Sequence, residues 1–250
     1  MAARTGRTHY FHADASALGG FIDRPVQENI PVQSPLSLPP VGGFATARTE
    51  DFRLHGIVSA KATHSQVSGT FHKETGNPTT MMTSVVEGLN VLNVVTADRV
   101  VAQISAEHPP KGHPRVTFFG SQIENLRVAG RPLEVILDDD IFNHGKSHGT
   151  GTFPKFPLVD DKAFLKRVGK KFDEDNKSAV VCTLVTDIKG DFPGKKHGNV
   201  LEIPDFGKLF LAELLVHCDA YQLIMMRFEL GCPTTGAITA GSGKVNGKGG

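Results

Sequence analysis

The chain has 250 residues, enough to bury one large core or two small ones without a metal or disulfide framework. With 27 Lys+Arg against 26 Asp+Glu it carries no global field that would attract nucleic acid or an anionic membrane, so neither partner is expected. Three separate cysteines, Cys182, Cys218 and Cys232, fit neither a disulfide scaffold nor a zinc knuckle.

No run of apolar residues is long enough to cross a bilayer, and the first ten residues lack the apolar stretch of a secretory signal. The expected location is the cytoplasm, or outside the cell by a route that uses no Sec signal peptide. The composition itself, with 27 Gly, 15 Pro and no Trp, favours short strands joined by many turns.

Residues 1–43 begin with His9, Tyr10, Phe11 and His12 and continue through Pro25, Pro31, Pro35, Pro39 and Pro40. Fixed φ and missing N–H groups argue against a helix or a central strand there. The segment is therefore expected to be an extended arm that contacts a partner through His9, Tyr10, Phe11 and His12. His9-x-x-His12 with Asp14 also offers three metal-ligand types, although anchoring the arm on the body is the plainer role for them.

From residue 44 the chain reads as a β-repeat domain extending to residue 240. The spacing from Glu50 to Glu87, and again from Glu87 to Glu124, is 37 residues. After each glutamate apolar residues alternate with polar ones, at Phe52 and Leu54, Leu89 and Val91, Leu126 and Val128, which is the period of a half-buried strand. Gly56, Asn93 and Gly130 then stand where a turn with positive φ is expected.

Three related units over 44–137 predict a mainly β fold of repeated strand units, either a β-solenoid or curved, sandwiched sheets. In register, the three glutamates would form a ladder needing cations or the interleaved Arg53 and Arg127 to neutralise it. Each also suits the polar edge before a strand.

An insertion over 138–177 is expected to hold a polar loop and one short amphipathic helix. Asp160 or Asp161 would cap the helix, and Phe164, Leu165, Val168 and Phe172 would share one face. Lys162, Lys166, Arg167, Lys170 and Lys171 would form its wet side. The loop holds the best cluster of hard-oxygen and imidazole ligands, Asp138, Asp140, His144 and His148, a candidate site for a divalent cation.

C-terminal strands are expected over 178–240, with Leu209–Val216 open to a helical reading by its length. Gly241 to Gly250 reads as a flexible tail. Its Gly-Ser-Gly-Lys is no phosphate loop: Ile238 stands where a glycine is needed and Val245 where Ser or Thr is needed. No nucleophile elbow or paired catalytic thiolate is present, so the sequence names no catalytic residues and implies no cofactor beyond that cation.

The stretches Val95–Val100, Gly120–Gly130 and Ile203–Lys208 resemble the choice-of-anchor P family over about residues 44–245. That resemblance implies a β-rich bacterial protein of unassigned activity and transfers no site residues. Two functions are expected on these grounds. One is a structural protein that self-associates through strand edges and the arm. The other is a binding module or enzyme with a cation-dependent site near residues 138–148.

Overall fold

The computed structural model describes residues 9–110, 114–142, 162, 166, 169–174, 177–217 and 220–246, with backbone alone for 169–174, 177–178 and 217. Among the described residues nineteen strands form two antiparallel sheets that face each other as an open sandwich. Every strand pair among the described residues is antiparallel, so the solenoid alternative, whose rungs pair in parallel, is not what forms.

One sheet is a run of hairpins. Its main strands are β4 (Gly43–Leu54), β5 (Val58–Phe71), β6 (Pro78–Val91) and β7 (Val95–Glu107). β10 (Leu126–Val128), β11 (Arg131–Leu137) and β14 (Val185–Lys189) continue it, and β8 (Arg115–Thr117) and β9 (Gln122–Glu124) also pair with β7.

The three hairpin turns share one backbone signature at a 37-residue interval. Positive φ occurs at Asp51, His55 and Gly56, again at Gly88, Leu92 and Asn93, and again at Asn125, Ala129 and Gly130. Two adjacent left-handed residues make the mirror-image turn whose twist suits a hairpin. Each turn also bonds to the one before it in the same way: Leu92 N–H donates to Ile57 O and Ala129 N–H to Val94 O, both at 2.7 Å.

The other sheet joins the first and the last described strands at its interior. In order it holds β12 (Gly169–Glu174), β13 (Lys177–Thr183), β17 (Gly207–His217), β18 (Ala220–Leu230), β19 (Thr235–Asn246), β1 (Ala13–Arg24) and β2 (Glu28–Gln33). β3 (Leu36–Ser37) pairs with β1, and β15 (Lys195–His197) with β16 (Val200–Ile203) beside β17.

Two expectations are corrected here. The N-terminal segment is no arm: β1 pairs with β19 on one flank and β2 on the other. Its prolines fall where a missing N–H does little harm. Pro31 lies in the edge strand β2, while Pro25, Pro35, Pro39 and Pro40 lie between strands. Nor is the stretch from Gly241 to Asn246 a flexible tail, since it pairs with both β1 and β18.

Small residues there reflect close packing rather than looseness. A Cβ on Gly243 would lie 2.5 Å from Met82 Sδ and 2.6 Å from Asp14 O. Between the sheets, Ser84 Oγ donates to Ser16 O at 2.9 Å, and the hydroxyls of Ser34 and Thr63 bond at 2.8 Å. These bonds satisfy hydroxyls that a narrow, Ala- and Gly-rich gap would otherwise leave dry.

The predicted helix is corrected in its second half. Gly169–Glu174, which includes Phe172, is a strand paired residue for residue with β13. Lys162 and Lys166 are helical, and the Asp160, Asp161, Phe164, Leu165 and Val168 positions lie outside the described residues. Leu209–Val216 is extended, as part of β17, with Leu209, Leu211, Leu214 and Val216 buried and Phe228 and Met226 of the neighbouring β18 beside Leu209 and Leu211.

Candidate functional site

The cation cluster is only half within the described residues: Asp138 and Asp140 are placed, whereas His144 and His148 lie outside them. Asp138 N–H donates to Leu184 O at 2.7 Å, and Phe118 N–H donates to Asp139 O at 3.0 Å. Asp140 N–H donates to Asp138 Oδ1 at 3.3 Å. The aspartates thus form a turn that lowers Ile141 and Phe142 into the core. Burial, followed by the adjacent Asp140 and Asp138, pushes the Asp139 carboxyl up. Among the described residues no three His, Cys, Asp or Glu side chains converge as a metal site.

The cluster at His9 to His12 divides. Phe11 is 2 % exposed and Tyr10 is 62 % exposed. Phe11 meets the His9 ring at 4.7 Å and the Phe71 ring at 5.4 Å, both edge-on. His12 instead faces Asp14 at 3.2 Å on the surface.

The partner of His9, which no sequence signal marks, is His108, at 4.7 Å between ring centroids. His108 follows β7 and is 6 % exposed. Nε2 of both rings is buried with no hydrogen-bond partner among the described residues. Burial lowers the affinity of both rings for a proton, taking His108 down to about 4, with the neighbouring His9 adding to the effect and Glu107 opposing it.

The three glutamates do share a row. Cross-strand pairing runs Glu50–Ala62–Glu87–Arg99–Glu124 over the outer face of the hairpin sheet. The cation between them is Arg99, 3.8 Å from Glu124, and not the predicted Arg53 or Arg127. Arg48 lies 3.0 Å from Glu50 and, with His64, Val85 and Glu87, lines a shallow cavity of about 160 Å³. A wider groove of about 440 Å³ runs past Arg127, Glu134 and Lys189 near the β9–β11 end.

On the outer face of the other sheet, Arg227 makes two bonds to Glu213, at 2.6 and 2.9 Å, and a third to Glu229. Its guanidinium lies 3.7 Å over the Phe210 ring. These residues stand on two neighbouring strands, in register Phe210–Arg227, so only the β17–β18 pairing could have revealed them.

A family model described as "Domain of unknown function (DUF8256)" matches residues 9–175 and 158–217. Nothing in that match links the chain to choice-of-anchor P proteins. No curated protein and no solved structure matches the chain.

Proposed function

The chain belongs to the DUF8256 family, a domain of unknown function, so its role is to be read from its own geometry, and we propose a structural, self-associating sandwich subunit. Its hairpin sheet is read as three copies of one 37-residue unit, laid side by side.

One observation carries this reading. β4 lies at the edge of the hairpin sheet, twelve residues long, register-paired with β5 along one flank and unpaired on the other among the described residues. Such a flank presents a row of unpaired N–H and C=O groups to another chain. The part from Phe44 to Thr49 is the open one, because it carries Arg48 as its sole charge and mostly small side chains. Beyond it the left-handed Asp51 bends the strand, and Glu50, Asp51 and Arg53 guard it. Phe44, 65 % exposed, stands at its start, with Val41 and Phe71 also exposed nearby.

Membrane insertion plays no part in this reading. Among the described residues no helix is long and apolar enough to cross a bilayer. Association uses the edge rather than the N-terminal segment, since β1 is committed to its own chain.

Sedimentation velocity over a wide concentration range tests the proposal. Wild type is expected to form larger species as concentration rises. The double variant Phe44→Lys/Thr46→Lys, which places two charges on the open edge, is expected to stay monomeric with the same circular dichroism. A wild type that is monomeric throughout contradicts it.

A further inference from the structure

The unexplained feature outside the sheet edges is the pair of buried imidazoles that holds the start of the described chain. His9 and His108 face each other with both Nε2 atoms buried and unpartnered among the described residues, an arrangement that suits two neutral rings. The rest of the segment is held by backbone bonds and one buried ring. Phe11 N–H donates to Pro40 O at 2.9 Å, and the Phe11 ring fills a hollow against Gly69, Gly42 and Leu38. Asn246 bonds to His12 O through its N–H and to Tyr10 O through its side chain.

We propose that the His9–His108 pair is an acid-sensitive latch: protonation of either ring releases residues 9–12 from the end of the sandwich while both sheets stay intact. Among the described residues, the charged groups around it offset a new positive charge only weakly. Glu107, the nearest carboxylate, already accepts from Asn77 at 2.7 Å and faces Arg115 at 4.0 Å. His12 and Lys244 share Asp14 on the adjoining β1 and β19. His72, in the β5–β6 loop, accepts at Nδ1 from Thr75 N–H. A second positive ring beside the first would only add repulsion.

The sign follows from the lowered proton affinity. The released form binds a proton near the usual 6.5, the docked His108 only near 4, so docking is full above about pH 6.5 and weakens as pH falls towards 4. For His108 alone the docked-to-released ratio changes on the order of a hundredfold across that window. Release would bare the Phe11 hollow beside the already exposed Val41 and Phe71.

The chain has no tryptophan, so Tyr10→Trp, at an exposed position, places one unique reporter on the latch. Its fluorescence anisotropy should fall with a midpoint between pH 6.5 and 4 while far-ultraviolet circular dichroism is unchanged. Adding His9→Phe and His108→Leu keeps apolar packing but removes titration, and should abolish that transition. If this variant does not fold, imidazole NMR titration of the unmodified chain replaces it, with His9 and His108 expected to titrate below the usual value as Phe11 ring signals shift. Anisotropy that falls only when circular dichroism collapses overturns the latch. So does an unchanged transition in the His-free variant, or His9 and His108 titrating normally.

Discussion

Gly243 and Arg227 show how differently single residues hold the sandwich. A methyl group on Gly243 would collide with both Met82 and the backbone of β1, and backbone cannot swing aside. Gly243→Ala is expected to cost about 1–3 kcal/mol, read from the urea midpoint at unchanged slope. Arg227 acts by charge: Arg227→Leu leaves Glu213 and Glu229 on one face without their guanidinium, at a cost of about 1–3 kcal/mol. Double replacement of Glu213 and Arg227 by apolar residues should recover much of that loss. Cys182 adds a chemical check, since burial pushes its thiol up to about 12. It should resist alkylation at pH 8 until the chain unfolds, whereas the exposed Cys232 reacts in the native state.

At the scale of elements, the hairpins were legible because their signals are local. Alternation at Phe52 and Leu54, or at Leu126 and Val128, lies within one strand, and Gly56, Asn93 and Gly130 do adopt φ of +69, +54 and +77. The first strand and the second half of the last, Gly241–Asn246, were not legible because their signals are not local. Proline, glycine and serine describe loops in isolation, yet here they mark strand ends and a gap too narrow for larger side chains. Gly169–Glu174 failed for the same reason: Phe172 at helical spacing says nothing of β13 beside it. His9 and His108, 99 residues apart, could be joined only by the fold. A consequence is testable at this scale. Deleting residues 1–24 removes an interior strand, so the truncated chain is expected to lose cooperative thermal unfolding, whereas loss of a dispensable arm would leave the melting curve in place.

For the whole molecule, the first and last described strands pair inside one sheet. The hairpin sheet is open along β4 among the described residues, and its polar outer face is balanced by the Glu50–Ala62–Glu87–Arg99–Glu124 row. The glutamates that set the period are thus part of a charge pattern, with Arg99 supplying the opposite sign, and are no isolated carboxylate ladder. The short elements at the other borders, β2 with Pro31, the six-residue β12 and the five-residue β14, present less flank to pair. Association through β4 would therefore be directional, one edge per subunit, and would not consume β1 or β19.

Amide hydrogen exchange, followed peptide by peptide at low and high protein concentration, tests both halves of this account at once. The account predicts slow exchange in Ala13–Ile22 and Gly236–Val245 at either concentration, and slowing in Phe44–Thr49 as concentration rises. Fast exchange in these two strands would contradict the pairing of β1 with β19. Concentration-independent exchange in Phe44–Thr49 would contradict association through its edge.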